Sequence, residues 1–180
     1  MRLDRNPCAG VVGSCSHCAD PALFAGKAIA PDGGMPIAPF PHTYSVTLAA
    51  DELTEGSRAP IRAGAPPQFG GTEDVWSPEH LLVASALLCL KTTFDAYARR
   101  EQLVIHAWRG TGAGVLVKGK EGPVFTAIEL AVEIDTVPGA EARVEAVLAT
   151  AEHHCIISRA LNVPVHLKGT FTATPDRAAG

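Results

Sequence analysis

Ser77-Pro78-Glu79-His80-Leu81-Leu82-Val83-Ala84-Ser85-Ala86-Leu87-Leu88-Cys89-Leu90 is the most strongly patterned segment of the chain, and the rest of the architecture is read outward from it. It opens like a helix. Ser77 is a good N-cap, because its side-chain oxygen can accept a hydrogen bond from an early helical N–H that has no intrahelical partner. Pro78 suits the first helical position, where no donor is needed. Glu79 sets a negative charge against the positive helix end. From Leu81 to Leu90 the chain is apolar nearly all round, which predicts a helix buried on most sides. Lys91, Asp95, Arg99 and Arg100 bring polarity back, so the second half should reach the surface. Cys89 falls inside the dry part.

Downstream, Leu103 to Trp108 and Val115 to Lys118 read as a hairpin pair. Ile128, Leu130, Val132 and Ile134 then alternate with Glu129, Ala131, Glu133 and Asp135, the period of a half-exposed strand. Pro138-Gly139 breaks it. A second helix follows with Val144, Val147, Leu148, Ala151 and Cys155 on one stripe, Asn162 can close it, and Val163 to Ala173 reads as a last strand. Upstream, Tyr44 to Leu48 alternates as a strand, Glu55-Gly56-Ser57 turns the chain, and Ile61 starts a second short strand. Pro66-Pro67 and Gly70-Gly71 end that strand in a loop. The order β-β-α-β-β-β-α-β predicts an α+β fold with antiparallel sheet and two cysteine-bearing helices.

Residues 1–41 are different, rich in Gly, Pro and Ala with little periodicity, and APDGGMPIAPFP reads as a linker. The expected organisation is a flexible N-terminal extension over 1–41, one domain over 42–175 and a short tail over 176–180. At 180 residues the chain is long enough for a real core. A net charge of −4 without a basic stripe gives no general attraction to nucleic acid or an anionic membrane surface. No apolar run reaches the ~18 residues of a membrane span, and the first residues do not look like a secretory signal. Five cysteines without such a signal point to the cytoplasm, where thiols stay reduced and disulfides are usually transient and catalytic.

Taken singly, Cys89 and Cys155 each read as small apolar core residues. Taken together they suggest a redox site, because a second thiol can capture an oxidised first one. The thiolate is the nucleophile; nearby cations or helix N-termini favour it and apolar burial opposes it. Ser158 and Arg159 follow Cys155 at a helix end.

Two motifs carry a resemblance. SPEHLLVASALLCL resembles the helix that characterises the OsmC/Ohr family (osmotically inducible protein C and organic hydroperoxide resistance proteins), with ten residues from Glu79 to Cys89. HHCIISRALNVPVHL resembles that family's second cysteine motif, and the 66-residue separation of Cys89 from Cys155 fits as well. Ile156 stands where many members have Pro, and Leu88 where a small residue is common. The resemblance covers roughly residues 42 to 174. It implies antiparallel sheets packed around two long helices in an intertwined homodimer. It also implies reduction of organic hydroperoxides with no bound cofactor or metal. Cys89 would attack the peroxide and become a sulfenic acid, and Cys155 would condense with it to a disulfide. An external dithiol or lipoyl-type reductant would restore both thiols. Such a disulfide needs Cα atoms within ~7 Å, so the two helices must pack with these positions facing.

The Ohr branch adds a Glu and an Arg that polarise the site. Glu79 matches the Glu; Arg58 in TEGSRAP matches the Arg, with Arg62 as competitor. Ten helical residues span about 15 Å, so Glu79 cannot touch its own Cys89 along a straight helix. A kink, an intervening arginine or a second subunit would have to bring them together.

Cys8, Cys15, Cys18 and His17 form a further soft-ligand cluster, but the usual two-knuckle zinc spacing is missing and incidental thiols are the favoured reading. His153 and His154 are adjacent and so point about 100° apart on a helix, which suits helix-end residues better than metal ligands. His106 and Trp108 read as packing on one strand face. No phosphate-cradling loop or Ser-His-Asp order stands out. A non-catalytic relative, binding a small apolar molecule or answering redox state through a partner, is the competing reading.

Overall fold

The structure, a computed structural model, describes residues 38–175. Contacts divide the chain into two units, Met1–Phe40 and Pro41–Gly180, and every described helix and strand belongs to the second. The extension read over 1–41, the Cys8/Cys15/Cys18/His17 cluster and the 176–180 tail lie almost wholly outside the described residues. The elements in chain order are β1 (Thr47–Ala49), β2 (Glu52–Thr54), β3 (Ile61–Arg62), α1 (Pro78–Arg100), β4 (Ile105–Lys118), β5 (Pro123–Thr136), α2 (Glu141–His154), α3 (Ile156–Ala160) and β6 (Val165–Ala173).

α1 begins where the sequence predicts. Ser77 Oγ accepts from the His80 N–H at 3.2 Å, and Pro78 and Glu79 occupy the first turn. Its inward stripe is Ala86, Leu90, Phe94 and Ala98, spaced four apart and buried. The expectation of burial on most sides is only half met. Leu81, Leu82, Val83 and Leu87 are half-buried and Leu88 is 64% exposed, because α2, α3 and β4, the elements packed on α1, do not surround it. By length and composition alone α1 also passes for a membrane-crossing helix; its inward stripe is taken up by the chain's own core.

Two three-stranded sheets form, ordered β1-β2-β3 and β4-β5-β6. In the first, Ala50 at φ 54 lets the chain reverse so that Leu48 pairs with Leu53. The bridge between Ala63 and Trp76 ties this sheet to the approach of α1.

The hairpin read at Leu103–Lys118 is instead one continuous strand of 14 residues, β4, whose antiparallel partner is β5. Gly110, Gly112 and Gly114, which look like turn residues in the sequence, sit at the inward positions of β4. A Cβ on Gly112 would lie 2.8 Å from Val83 Cγ1, and one on Gly110 would lie 2.9 Å from Leu87 Cδ1. The glycines let α1 press onto the sheet, a role seen only when the helix is in place. The true reversal lies at Gly119–Gly122, where the Gly119 N–H donates to the Gly122 carbonyl.

The α+β layout stands, with one departure from an all-antiparallel sheet. β6 runs parallel to β5, with Leu130 opposite Leu167 and Ile134 opposite Phe171. A parallel neighbour needs a long crossover, and α2 with α3 supplies it. The core lies where Leu90 and Phe94 of α1 and Val144 and Leu148 of α2 meet Leu130, Val132 and Ile134 of β5.

Candidate active site

α1 packs against both α2 and α3, and the thiols meet at that junction. Cys89 lies between exposed Leu88 and buried Leu90, so its position on α1 is half in and half out. Cys155 is not inside a helix. It is the break between α2 and α3, with φ −63 and ψ 110. The extended backbone there turns its side chain inward, and the residue is 1% exposed.

No disulfide joins Cys89 and Cys155. The Ile157 N–H donates to Cys89 Sγ at 3.5 Å, and the Ser158 hydroxyl donates to Cys155 Sγ at 3.1 Å. On its other side Cys155 Sγ points at the Ala86 carbonyl, 4.0 Å away. Burial pushes the Cys155 thiol above the ordinary range. The Ser158 hydroxyl pulls it back, and the Cys89 thiol, within hydrogen-bond reach, pushes it up again. A neutral Cys155 and a reachable Cys89 are unlike partners. One can meet a substrate from outside, and the other can be reached only through it.

Glu79 occupies the far end of α1. With Trp76, Val83, Leu87 and Phe125 it lines a cavity of about 430 Å³ that Cys89 does not border. The Ser77 hydroxyl, and then the backbone N–H at the helix start, hold its carboxyl below the usual carboxylate range. The Glu79 Oε2 is nevertheless buried without a hydrogen-bond partner among the described residues.

Arg58 sits in the β2–β3 turn with its side chain 75% exposed, paired with Glu55. Arg62 reaches Asp51 at 3.6 Å and Asp74 at 3.2 Å. Within one chain, then, the structure brings Cys89 and Cys155 together and leaves Glu79, Arg58 and Arg62 elsewhere. His154 stacks on Tyr97 with ring centroids 5.6 Å apart, and His153 packs edge-on to His154. His106 is exposed beside Asp135, whereas Trp108 is half-buried under Lys91.

Ser158 is the residue whose part the sequence under-reads. Its signal was the Cys-x-x-Ser spacing: at the opening of a helix, the side chain three residues on folds back over the first. Recognising this required knowing that a helix restarts at Ile156.

The profile of the family described as OsmC-like protein matches residues 71–168, which include both cysteines and Glu79. No curated protein matches the sequence significantly. Among solved structures, the OsmC-like protein from Mycoplasma pneumoniae superposes with a TM-score of 0.62 at 17% identity, covering 74% of this chain and 99% of that one. An organic hydroperoxide resistance protein OsmC from Legionella pneumophila gives 0.55 at 19% identity, covering 74% and 100%. An organic hydroperoxide resistance protein from Elizabethkingia anophelis, with thiocyanate bound, gives 0.59 at 15% identity, covering 75% and 100%. These likenesses establish the fold, and the profile match over more than half of the sequence establishes the kinship: the chain belongs to the OsmC-like protein family.

Proposed function

We propose that this protein is a thiol-dependent peroxidase that reduces organic hydroperoxides to alcohols. The observation that carries the reading is the pairing of a half-buried Cys89 with a fully buried Cys155 across the α1/α3 junction. Binding alone requires neither thiol. In the first step the Cys89 sulfur attacks one peroxide oxygen, the O–O bond breaks, the alcohol leaves and Cys89 becomes a sulfenic acid. The Ile157 N–H, 3.5 Å from that sulfur, is a donor to it while it carries charge. In the second step Cys155 attacks the Cys89 sulfur, a disulfide forms and water leaves. A dithiol of the lipoyl type then reduces the disulfide by exchange. Reduced thiols of this kind suit the cytoplasm.

A homodimer is part of the proposal. Leu88, one residue from Cys89, is exposed on the apolar first half of α1, and Tyr44, Val46 and Leu48 around β1 are exposed as well. The buried Glu79 Oε2 has no hydrogen-bond partner among the described residues, and ten helical residues separate Glu79 from Cys89 by about 15 Å. A second copy carrying Arg58 or Arg62 would answer both needs.

Mutation separates the two cysteines. Cys89→Ser should abolish consumption of cumene hydroperoxide, because the hydroxyl is a far weaker nucleophile at neutral pH. Cys155→Ser should permit one oxidation and then hold Cys89 as sulfenic or sulfinic acid, read by intact mass. Turnover in the first variant, or wild-type cycling in the second, would overturn the assignment. The cavity at Glu79 supports a second reading, a non-catalytic protein that binds a small apolar molecule there. Failure of wild-type protein to form the Cys89–Cys155 disulfide under peroxide would favour that reading instead.

A further inference from the structure

We propose that Ser158 is the positioning residue of the disulfide-forming step, using its hydroxyl to aim the Cys155 sulfur and to hold its charge as it attacks Cys89. This role rests on the peroxidase reading and adds to it a residue which that reading does not need in outline.

The geometry starts from the break at Cys155. α2 ends at His154 and α3 begins at Ile156, so Cys155 stands at the opening of a new helical turn. Three residues on, Ser158 folds back over it and donates to Sγ at 3.1 Å. Everything else around that sulfur is poor in charge. The residue is 1% exposed; the Ala86 carbonyl facing Sγ can only accept, and the Ser158 backbone N–H is a second, weaker donor beside that residue's own hydroxyl. Burial that keeps Cys155 neutral protects it from outside oxidants, but it also opposes the anion that must attack Cys89. A hydroxyl donor aimed at the sulfur relieves that opposition without admitting water. The effect of burial and the counter-effect of Ser158 both act on the same thiol.

The chemistry balances. Cys89 sulfenic acid and Cys155 thiol become the Cys89–Cys155 disulfide and water. Cys155 forms the S–S bond, the S–O bond of Cys89 breaks with its electron pair on oxygen, and the Cys155 proton leaves on that oxygen. Negative charge passes through the Cys155 sulfur on the way, where Ser158 faces it. The neighbouring Ile157 N–H faces the Cys89 sulfur instead. Two consecutive residues of α3 thus address the two thiols separately.

The test compares Ser158→Ala and Ser158→Thr with wild type in two measurements. In rapid-mixing experiments with cumene hydroperoxide, the alanine variant should form sulfenic acid at the wild-type rate. Its disulfide should form about tenfold more slowly, the loss of one hydrogen bond to a charged group. More of it should pass to sulfinic acid, and threonine should restore the disulfide rate. The second measurement needs no peroxide. It follows ultraviolet thiolate absorbance against pH in a Cys89→Ser background, where the N-terminal thiols are common to all the proteins compared. Cys155 should ionise at higher pH once Ser158→Ala is added, and at the parent's pH when Ser158→Thr is added instead. An unmoved ionisation, or an unchanged rate of disulfide formation in Ser158→Ala, overturns the proposal. A moved ionisation in a protein whose wild type forms no disulfide under peroxide overturns the peroxidase reading, and the resolving role with it.

Discussion

Cys155 behaves differently from a core cysteine that only fills space, because its ionisation is tied to the fold. Burial keeps it a thiol beyond the ordinary range, with the Cys89 thiol adding to the effect and Ser158 opposing it. A raised pKa in the folded state means that the unfolded chain gives up this proton first. Its contribution to stability is therefore whole below the ordinary thiol range and is lost as pH rises through the folded value. Urea unfolding measured from pH 7 into the alkaline range should show wild type losing stability more steeply than Cys155→Ala. The comparison is of slopes, since the alanine also leaves a constant cavity cost. Parallel slopes would mean that burial of Cys155 does not shift its titration. Glu79 shows the opposite balance, held low by Ser77, yet with one carboxylate oxygen unanswered among the described residues.

At the scale of elements, α1 and β4 depend on each other. α1 is legible in the sequence because its signals are local: an N-cap at Ser77, proline at the first position and polarity returning at Lys91. β4 is not legible as one strand, because Gly110, Gly112 and Gly114 carry turn chemistry in isolation. Their use is to make room for Val83 and Leu87 on a helix some 25 residues earlier, which no local window contains. Gly112→Val should therefore lower stability by about 1–3 kcal/mol through overpacking against Val83 and Leu130. Denaturant unfolding checks the value, and a neutral outcome would mean that α1 does not press on β4 at that point. The parallel β6 was hidden for the same reason. The alternation in Val163–Ala173 marks a strand, but its direction comes from the crossover through α2 and α3.

For the whole molecule, the uncovered apolar surface sets the expectation. Leu88 on α1 and Tyr44, Val46 and Leu48 around β1 are large apolar side chains exposed in a single chain, and a second copy would give them cover. Sedimentation at micromolar concentration should give close to twice the chain mass. Fully active monomers at the assay concentration would show that each chain completes its site alone, and the shared-site proposal would fall.

Local patterning is enough to read the two helices, the strand rhythm of β5 and the α+β layout. All of these follow from propensity, capping and periodicity within a few turns of chain. Glu79 and the cysteines were legible through their motifs. Long-range packing makes Cys155 a helix break rather than a helical residue, and buries it while Cys89 stays half open. It also places Ser158 on the Cys155 sulfur and leaves Arg58 with Glu55 in a turn. The physical reason is the same in each case. Burial and hydrogen-bond partners depend on segments distant in the chain, and no local pattern records which of them arrives.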